Sequence, residues 1–373
     1  MKIIFVGGGT GGHVLPNIAI IDDLMKISKK KGIDIDFIYI GRFFGIEKRI
    51  VLSRGIRYKG IFAGKWRRYG NWRNYTDLLL IALGFIQSIF ILLLNRPKII
   101  FAKGGFVTVP LCMAAALLRI PFLIHESDSI LGLSNKILLR FAKKIYLGFP
   151  VEEYQNLPIG KCVFTGNPVR EEISSIVENK QKFYKKYGLN PKKPIVFVFG
   201  GSQGSSAINK HINEILDKLV AKYVLIHQTG VKEANYFKQG YFELDEKDRK
   251  DYLIYSHIGE EMGEMMANAD LVVSRAGANS IAEIIALKKI AIIIPLPSAA
   301  ADHQSMNAQF LKEIGVASIL DEKFLDGEKF LEEIDFMIKD KKTRNRMIKN
   351  MESIFPENSS KIIAEEIIKE ISK

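Results

Sequence analysis

The chain has 373 residues, 47% apolar and 25% charged, a composition that excludes a disordered protein, and a length that predicts two domains rather than one core. Its net charge of +13 is unevenly placed: residues 1–164 carry 24 basic and 10 acidic side chains, whereas residues 165–373 carry 30 and 31. That asymmetry excludes a uniform solubility device and points to an anionic partner for the N-terminal half, while two cysteines, Cys112 and Cys162, exclude a disulfide scaffold and imply a reducing compartment.

Along the chain, Lys2–Val6 reads as a first buried strand rather than a signal peptide, because its short apolar run leads straight into GGGTGGH. Pro16–Lys30 has helical spacing and Ile35–Ile40 is the next strand. Leu78–Leu94 is a 17-residue run of mainly Leu, Ile and Phe, interrupted by Gly84, Gln87 and Ser88. As a helix it would be about 26 Å long, at the short limit for crossing a bilayer. Asn95-Arg96-Pro97 and the strand-like KIIFAKGG follow it, so a helix returning to a sheet is expected, with an exposed face able to dip into a membrane surface.

Ile99–Ala102, Pro121–His125 and Lys144–Leu147 then read as strands, with a helix at Val109–Leu118. The pattern restarts after TGNPVR, with strands at Pro194–Phe199, Tyr223–Gln228, Leu271–Ser274 and Ile290–Pro295, and a helix at Ala207–Leu219. Such alternation predicts an α/β protein of two Rossmann-like parallel-sheet domains facing across a cleft. The expected domains are residues 1–164 and 165–352, with the segment 353–373, amphipathic over Ser359–Ile371, able to pack on either, including back on the first.

The glycine loops carry the chemistry. GGGTGGH fits G-x-G-x-x-G at Gly7, Gly9 and Gly12 directly after a strand, where backbone N–H groups and a helix N-terminus favour an anion. A dinucleotide site needs an acid at the end of the second strand, but that strand ends Tyr39-Ile40-Gly41-Arg42, and no GxxxxGK[ST] occurs. His13 either caps and packs or, as a neutral imidazole at a sheet's carboxyl end, takes a proton from a sugar hydroxyl. Gly104-Gly105 and GGSQGSS at 200–206 are further anion loops, more than core packing requires. In RAGANSIAE, Glu283 is either a solvated helix charge or a bidentate acceptor for ribose hydroxyls.

The ordered set GGGTGGHVLP, KGGF-VTVP, HES-D, GLSNK, TGNPVR, FGGSQGS, SRAGANSIAE and ADHQSMNA resembles the MurG family of bacterial lipid-linked N-acetylglucosaminyltransferases, from residue 7 to about residue 308. The resemblance implies the GT-B fold and transfer of GlcNAc from UDP-GlcNAc to the muramoyl C4 hydroxyl of undecaprenyl-linked lipid I, giving lipid II with inversion and no required cofactor or essential metal. It implies a peripheral place at the cytoplasmic face of the inner membrane, partnered by an anionic surface and by other cell-wall synthesis proteins, not nucleic acid. Carried over by residue, His13 is the candidate base and Asp128, in HESD, the alternative. Thr10, Gly11, Gly12, Asp128, Arg170, Ser202, Ile258, Ala278, Asn279, Ser280, Glu283 and Gln304 would line the donor site, with Ser202 near the diphosphate, Ile258 on uracil, Glu283 on ribose and Gln304 on GlcNAc. Gly8, Gly9, Gly104 and Gly105 would hold the acceptor diphosphate. The Trp66–Arg73 cluster and the Leu78–Leu94 run would form the membrane-facing edge. An epimerase of the same fold, a transferase acting on another lipid and a basic nucleic-acid binder are the rival readings.

Overall fold

The structure is a computed structural model that describes residues 1–372 except Thr10, 66–72, 155–156, 202–203 and 300–301, and only the backbone of Ile46, Arg73 and Asn74. The chain divides into two compact units, Met1–Arg170 with Asn358–Lys373, and Glu171–Glu357.

The first unit is a seven-stranded parallel sheet. Its strands are β1 (Lys2–Val6), β2 (Asp36–Arg42), β3 (Arg57–Ile61), β4 (Ile99–Ala102), β5 (Phe122–Glu126), β6 (Lys144–Leu147) and β7 (Cys162–Phe164), in the order β3-β2-β1-β4-β5-β6-β7. The order reverses between β1 and β4, and Val6 is in register with both Ile40 and Ala102. Ligands of open parallel sheets bind at the carboxyl ends of the strands beside such a switch point. The central strands are apolar on both faces because helices cover both; β1, β4 and β5 are buried almost throughout.

The C-terminal helix Ser359–Ser372 returns to this unit. Ile363, Ile367, Ile368 and Ile371 share a core with Ile18, Ile21 and Leu24 of the helix Gly11–Lys31 and with Ile3 and Phe5 of β1. Burying each isoleucine contributes about 1.5–3 kcal/mol, enough to hold a terminal helix in place. Lys143 and Lys144 add ion pairs to Glu370 and Glu366 at 2.6 and 2.7 Å.

The apolar run forms the helix Arg73–Asn95, between β3 and β4. By length and composition its Tyr75–Asn95 stretch could cross a membrane. Its three sequence interruptions explain its packing. Gly84 lets the helix approach the Phe62 carbonyl so closely that a Cβ there would lie 1.9 Å away. Gln87 Oε1 accepts from the Phe62 amide at 2.8 Å, and Ser88 Oγ donates to the Gly84 carbonyl at 2.6 Å. The small and polar residues therefore face the protein, together with Leu92, while Leu78, Leu79, Leu83, Ile86, Phe90, Leu93 and Leu94 are exposed. This is the reverse of an ordinary surface helix.

The second unit holds a six-stranded parallel sheet of β8 (Ile195–Phe199), β9 (Val224–Gln228), β10 (Tyr252–Tyr255), β11 (Leu271–Ser274), β12 (Ala291–Ile293) and β13 (Ser318–Ile319), in the order β10-β9-β8-β11-β12-β13. One expectation is corrected here. The helix expected at Ala207–Leu219 is two helices, Ser206–Glu214 and Leu216–Lys222, broken where Ile215 adopts φ −121°. The first helix also begins earlier than expected, at Gly11, with Pro16 accommodated inside it.

Candidate active site

In the first unit the loops after β1, β4 and β5 converge. Gly11, Gly12 and His13 open the helix Gly11–Lys31 directly behind the first glycine loop. The loop is fixed from below: Tyr39 donates to the Gly7 carbonyl at 3.0 Å, and Asn17 Nδ2 donates to the Tyr39 hydroxyl at 3.1 Å. Gly104 and Gly105 take φ of 101° and 84°, a conformation that strongly favours glycine. A Cβ on Gly105 would fall 2.5 Å from the Gly8 carbonyl and 3.2 Å from His13 Cδ2; one on Gly104 would fall 3.6 Å from His13 Cε1. Gly8, His13, Gly104 and Gly105 are thus brought together, and Gly9 lies against the Phe106 ring. Arg42 lies over the Phe106 ring, its Cζ 5.3 Å from the centroid.

His13 Nδ1 is buried with no hydrogen-bond partner. Burial first, then the positive charge of Lys103, pull the His13 pKa down to about 4, against the opposing charge of Asp128. The imidazole is therefore neutral near pH 7, the form a base requires.

Asp128 sits on a turn organised by a buried neighbour. Glu126 Oε1 accepts from the amides of Ser127 at 2.8 Å and Asp128 at 3.2 Å. Glu126 Oε2 accepts from the Gly132 amide at 2.8 Å and Asn135 Nδ2 at 2.9 Å. Burial and the nearby Asp128 charge raise the Glu126 pKa, and these hydrogen bonds oppose the rise. The Tyr154 hydroxyl donates to the Asp128 carbonyl at 2.7 Å. Glu126 and Asn135 were not singled out in the sequence; the signal available was a carboxylate closing the apolar strand FLIHE.

In the second unit the segments after β8, β10, β11 and β12 hold the donor-side candidates. Gln228, at the end of β9, joins two of them: its Nε2 donates to the Gly201 carbonyl and its Oε1 accepts from the Ile258 amide, both at 2.8 Å. Because the Ile258 amide is committed, contact with a base through this backbone falls to the carbonyl. Ala278, Asn279 and Ser280 open the helix Ala278–Ala286, whose N-cap, Gly277, supplies no side-chain cap. Its first amides suit an anion. Glu283 lies one turn along, half-buried. Gln304, at the start of the helix His303–Glu313, accepts from the Leu296 amide at 3.0 Å.

Arg275, not expected as a site residue, ties this end of the sheet together. Its Nη2 donates to Ser205 Oγ at 2.6 Å, its Nη1 donates to the Ile294 and Pro295 carbonyls at 3.1 and 3.2 Å, and it pairs with Glu322 at 2.5 Å. Ser205 in turn caps the helix Ser206–Glu214. Arg170 is half-buried at the last position of the first unit before the chain crosses over. Thr10, Ser202 and most of the Trp66–Arg73 cluster lie outside the described residues. Among the described residues no group of three or more His, Cys, Asp or Glu side chains is placed to hold a metal ion.

Two Rossmann-like sheets with glycine loops at their carboxyl ends have counterparts in two models of one family: residues 3–147 match the glycosyltransferase family 28 N-terminal domain, and residues 195–367 match its C-terminal domain. The chain is a glycosyltransferase of that family, with the GT-B fold. It is 37% identical over 375 residues to the UDP-N-acetylglucosamine--N-acetylmuramyl-(pentapeptide) pyrophosphoryl-undecaprenol N-acetylglucosamine transferase of Clostridium botulinum, covering 100% of this chain and 99% of the relative. It is 38% identical over 323 residues to the transferase numbered 2 of that name in Bacillus cereus, covering 86% and 87%. The crystal structure of Acinetobacter baumannii MurG matches with a TM-score of 0.74 over 99% of each chain at 24% identity, a likeness of fold. The chain belongs to the MurG family, the N-acetylglucosaminyltransferases that carry this name.

Proposed function

We propose that the protein transfers N-acetylglucosamine from UDP-GlcNAc to the muramoyl C4 hydroxyl of undecaprenyl-linked lipid I, forming lipid II with inversion. The full-length likeness to transferases of that name supports the substrates. The structural observation that carries the chemistry is the meeting of Gly8, Gly104 and Gly105 around a neutral His13 whose Nδ1 has no partner. The glycine loops offer backbone amides to the acceptor diphosphate, and His13 removes the hydroxyl proton as that oxygen attacks the anomeric carbon. The bond from that carbon to the diphosphate oxygen breaks on the opposite face, and UDP leaves with the electron pair. Asp128, on the same loop cluster, is the alternative base.

The second unit receives the donor in this reading: Ile258 through its carbonyl on uracil, Glu283 on the ribose, and Arg170, Ser202, Gln304 and the Ala278–Ser280 amides on the rest. Charge gathering on the departing diphosphate is met by helix-start amides, so the reading includes no essential metal and no cofactor. The test is transfer of labelled GlcNAc from UDP-GlcNAc to a lipid I analogue. Transfer is expected at an equal rate with and without EDTA. Absence of transfer, with UDP-GlcNAc epimerised instead, would sink the reading; a rate abolished by EDTA and restored by a divalent cation would remove its metal-independent part.

We also propose a peripheral seat on the cytoplasmic face of the inner membrane. The exposed leucines and phenylalanine of Arg73–Asn95, on the half of the chain that carries the basic excess, suit an anionic lipid surface. Vesicles containing anionic lipid are expected to bind the protein in a salt-sensitive way. Leu79→Glu with Phe90→Glu is expected to abolish that binding while the melting temperature holds, since both side chains are 62% exposed. Equal binding to neutral and anionic vesicles would refute the electrostatic part. Other cell-wall synthesis proteins are the partners this seat would bring within reach.

A further inference from the structure

A lysine is buried in the middle of the acceptor-side cluster, and the chemistry described so far does not use it. Lys103 follows β4 directly, its amide bonded to the Val6 carbonyl at 3.0 Å, and its side chain is 1% exposed. A methionine or leucine would fill this space without the cost of desolvating an ammonium. The ammonium instead reaches two polar groups, His125 Nδ1 at 2.9 Å and Ser127 Oγ.

The direction of these bonds follows from His125. Its Nε2 lies 3.1 Å from the Gly166 carbonyl, which can only accept. Nε2 therefore carries the ring proton, and Nδ1 accepts from Lys103. Burial, reinforced by the Lys103 charge, lowers the His125 pKa well below the ordinary histidine value, so the ring is neutral and the only cation in this chain of contacts is the lysine. Burial also lowers Lys103, to about 8, while Glu126 and Asp128 oppose that fall.

One ammonium thus joins three loops. On its own strand end it precedes Gly104 and Gly105. Through Ser127 it holds the turn that bears Asp128, whose other side is fixed by Glu126. Through His125 it reaches the segment Thr165–Asn167, where Asn167 Nδ2 returns a hydrogen bond to the Ser127 carbonyl at 2.8 Å. The charges facing His13 across this cluster are Lys103 and Asp128, of opposite sign, and the backbone of Lys103 also bonds to His13.

We propose that Lys103 is a positioning residue for the transfer: its buried ammonium ties the Ser127–Asp128 turn and, through His125, the Thr165–Asn167 segment to the Gly104-Gly105 loop that packs on His13, and its positive charge faces the same ring. The proposal rests on the reaction proposed above. Without the lysine, Asp128 and Glu126 lose its positive charge, the turn loses its tether through Ser127, and the His13 ring titrates at higher pH. The turn belongs to the first unit and the nucleotide candidates from Ser202 to Gln304 to the second, so the loss falls on turnover through misplacement of the turn rather than on nucleotide binding.

The test is Lys103→Met, assayed beside the wild type. The expected kcat is lower by about 10- to 100-fold, the range for losing an outer partner of a reacting group, with KM for UDP-GlcNAc within about threefold. The His13 ring, followed by NMR in histidine-labelled protein and assigned with His13→Gln, is expected to titrate about one pH unit higher than in the wild type. A kcat within twofold of wild type overturns the proposal, as does a lowered kcat with an unmoved His13 midpoint, which marks a merely structural lysine. Should Lys103→Met not fold, Lys103→Gln, which keeps a donor and removes the charge, carries the same His13 measurement with the same two outcomes. Failure of the wild type itself to transfer GlcNAc counts against the proposed reaction, not against Lys103.

Discussion

Replacing His13 with alanine is expected to lower kcat by about 10²- to 10⁴-fold, the usual contribution of a positioned general base, while the affinity for UDP changes little. The separation follows from where the contacts lie. His13 touches the Gly104-Gly105 loop of the first unit, whereas the nucleotide candidates from Ser202 to Gln304 belong to the second. Steady-state transfer and UDP binding by calorimetry together decide it; near-normal turnover moves the base to Asp128. The sign of the pH dependence is also fixed. A histidine whose pKa is pulled down to about 4 stays deprotonated as the pH falls from 7 to 5, so kcat/KM for the free enzyme is expected to hold over that range. A bound diphosphate brings negative charge that raises the pKa, so the acid limb of kcat is expected at higher pH than that of kcat/KM.

Strand legibility in the sequence followed burial. Every strand read from the apolar pattern is an interior strand, covered on both faces, such as IIFV of β1 or IVFVF of β8. The four strands that were not read, β3, β7, β10 and β13, are the four sheet edges. RYKGI of β3 is only partly buried, and CVF and SI are too short and too open to show a run. An edge strand needs less apolar surface, and the sequence pattern that depends on such surface fades with it. The same physics hid the break at Ile215, which leaves the helical apolar spacing intact on both sides.

The site was legible where glycine was the signal. Gly8, Gly104 and Gly105 stand out because two loops must approach one another too closely for side chains, and His13 stands out because it follows the first of them. Gln228 was passed over, and Lys103, Glu126 and Arg275 were quoted within motifs but given no role of their own. Each is a polar residue at, or directly after, the end of an apolar strand, in FAKGG, FLIHE, VLIHQ and LVVSRAG, and each proves to be the hydrogen-bonding hub that fixes a loop. A polar residue at the carboxyl end of an apolar parallel strand is a readable signal. Its partners are not, because they come from other strands at sequence distances of up to 70 residues, as in Arg275 and Ser205.

Arg275 carries the largest expected effect on stability. Arg275→Met is expected to destabilise the second unit by about 3 kcal/mol, the lower end of the range for removing one partner of a buried ion pair. The residue is 8% exposed, so water does not replace what is lost: Glu322 is left without its cation and the Ile294 and Pro295 carbonyls without their donor. For a unit of this size about 3 kcal/mol corresponds to roughly 6–12 °C in melting temperature. The donor site is expected to weaken along with the fold, because Ser205 then loses the contact that steadies it between the glycine loop and the helix it caps. Differential scanning calorimetry with and without UDP separates the two effects. Glu322→Gln in the same background is expected to recover part of the melting temperature, since it removes the uncompensated charge, but not the UDP affinity. Recovery of both would place the role of Arg275 in its pairing with Glu322 rather than in holding Ser205.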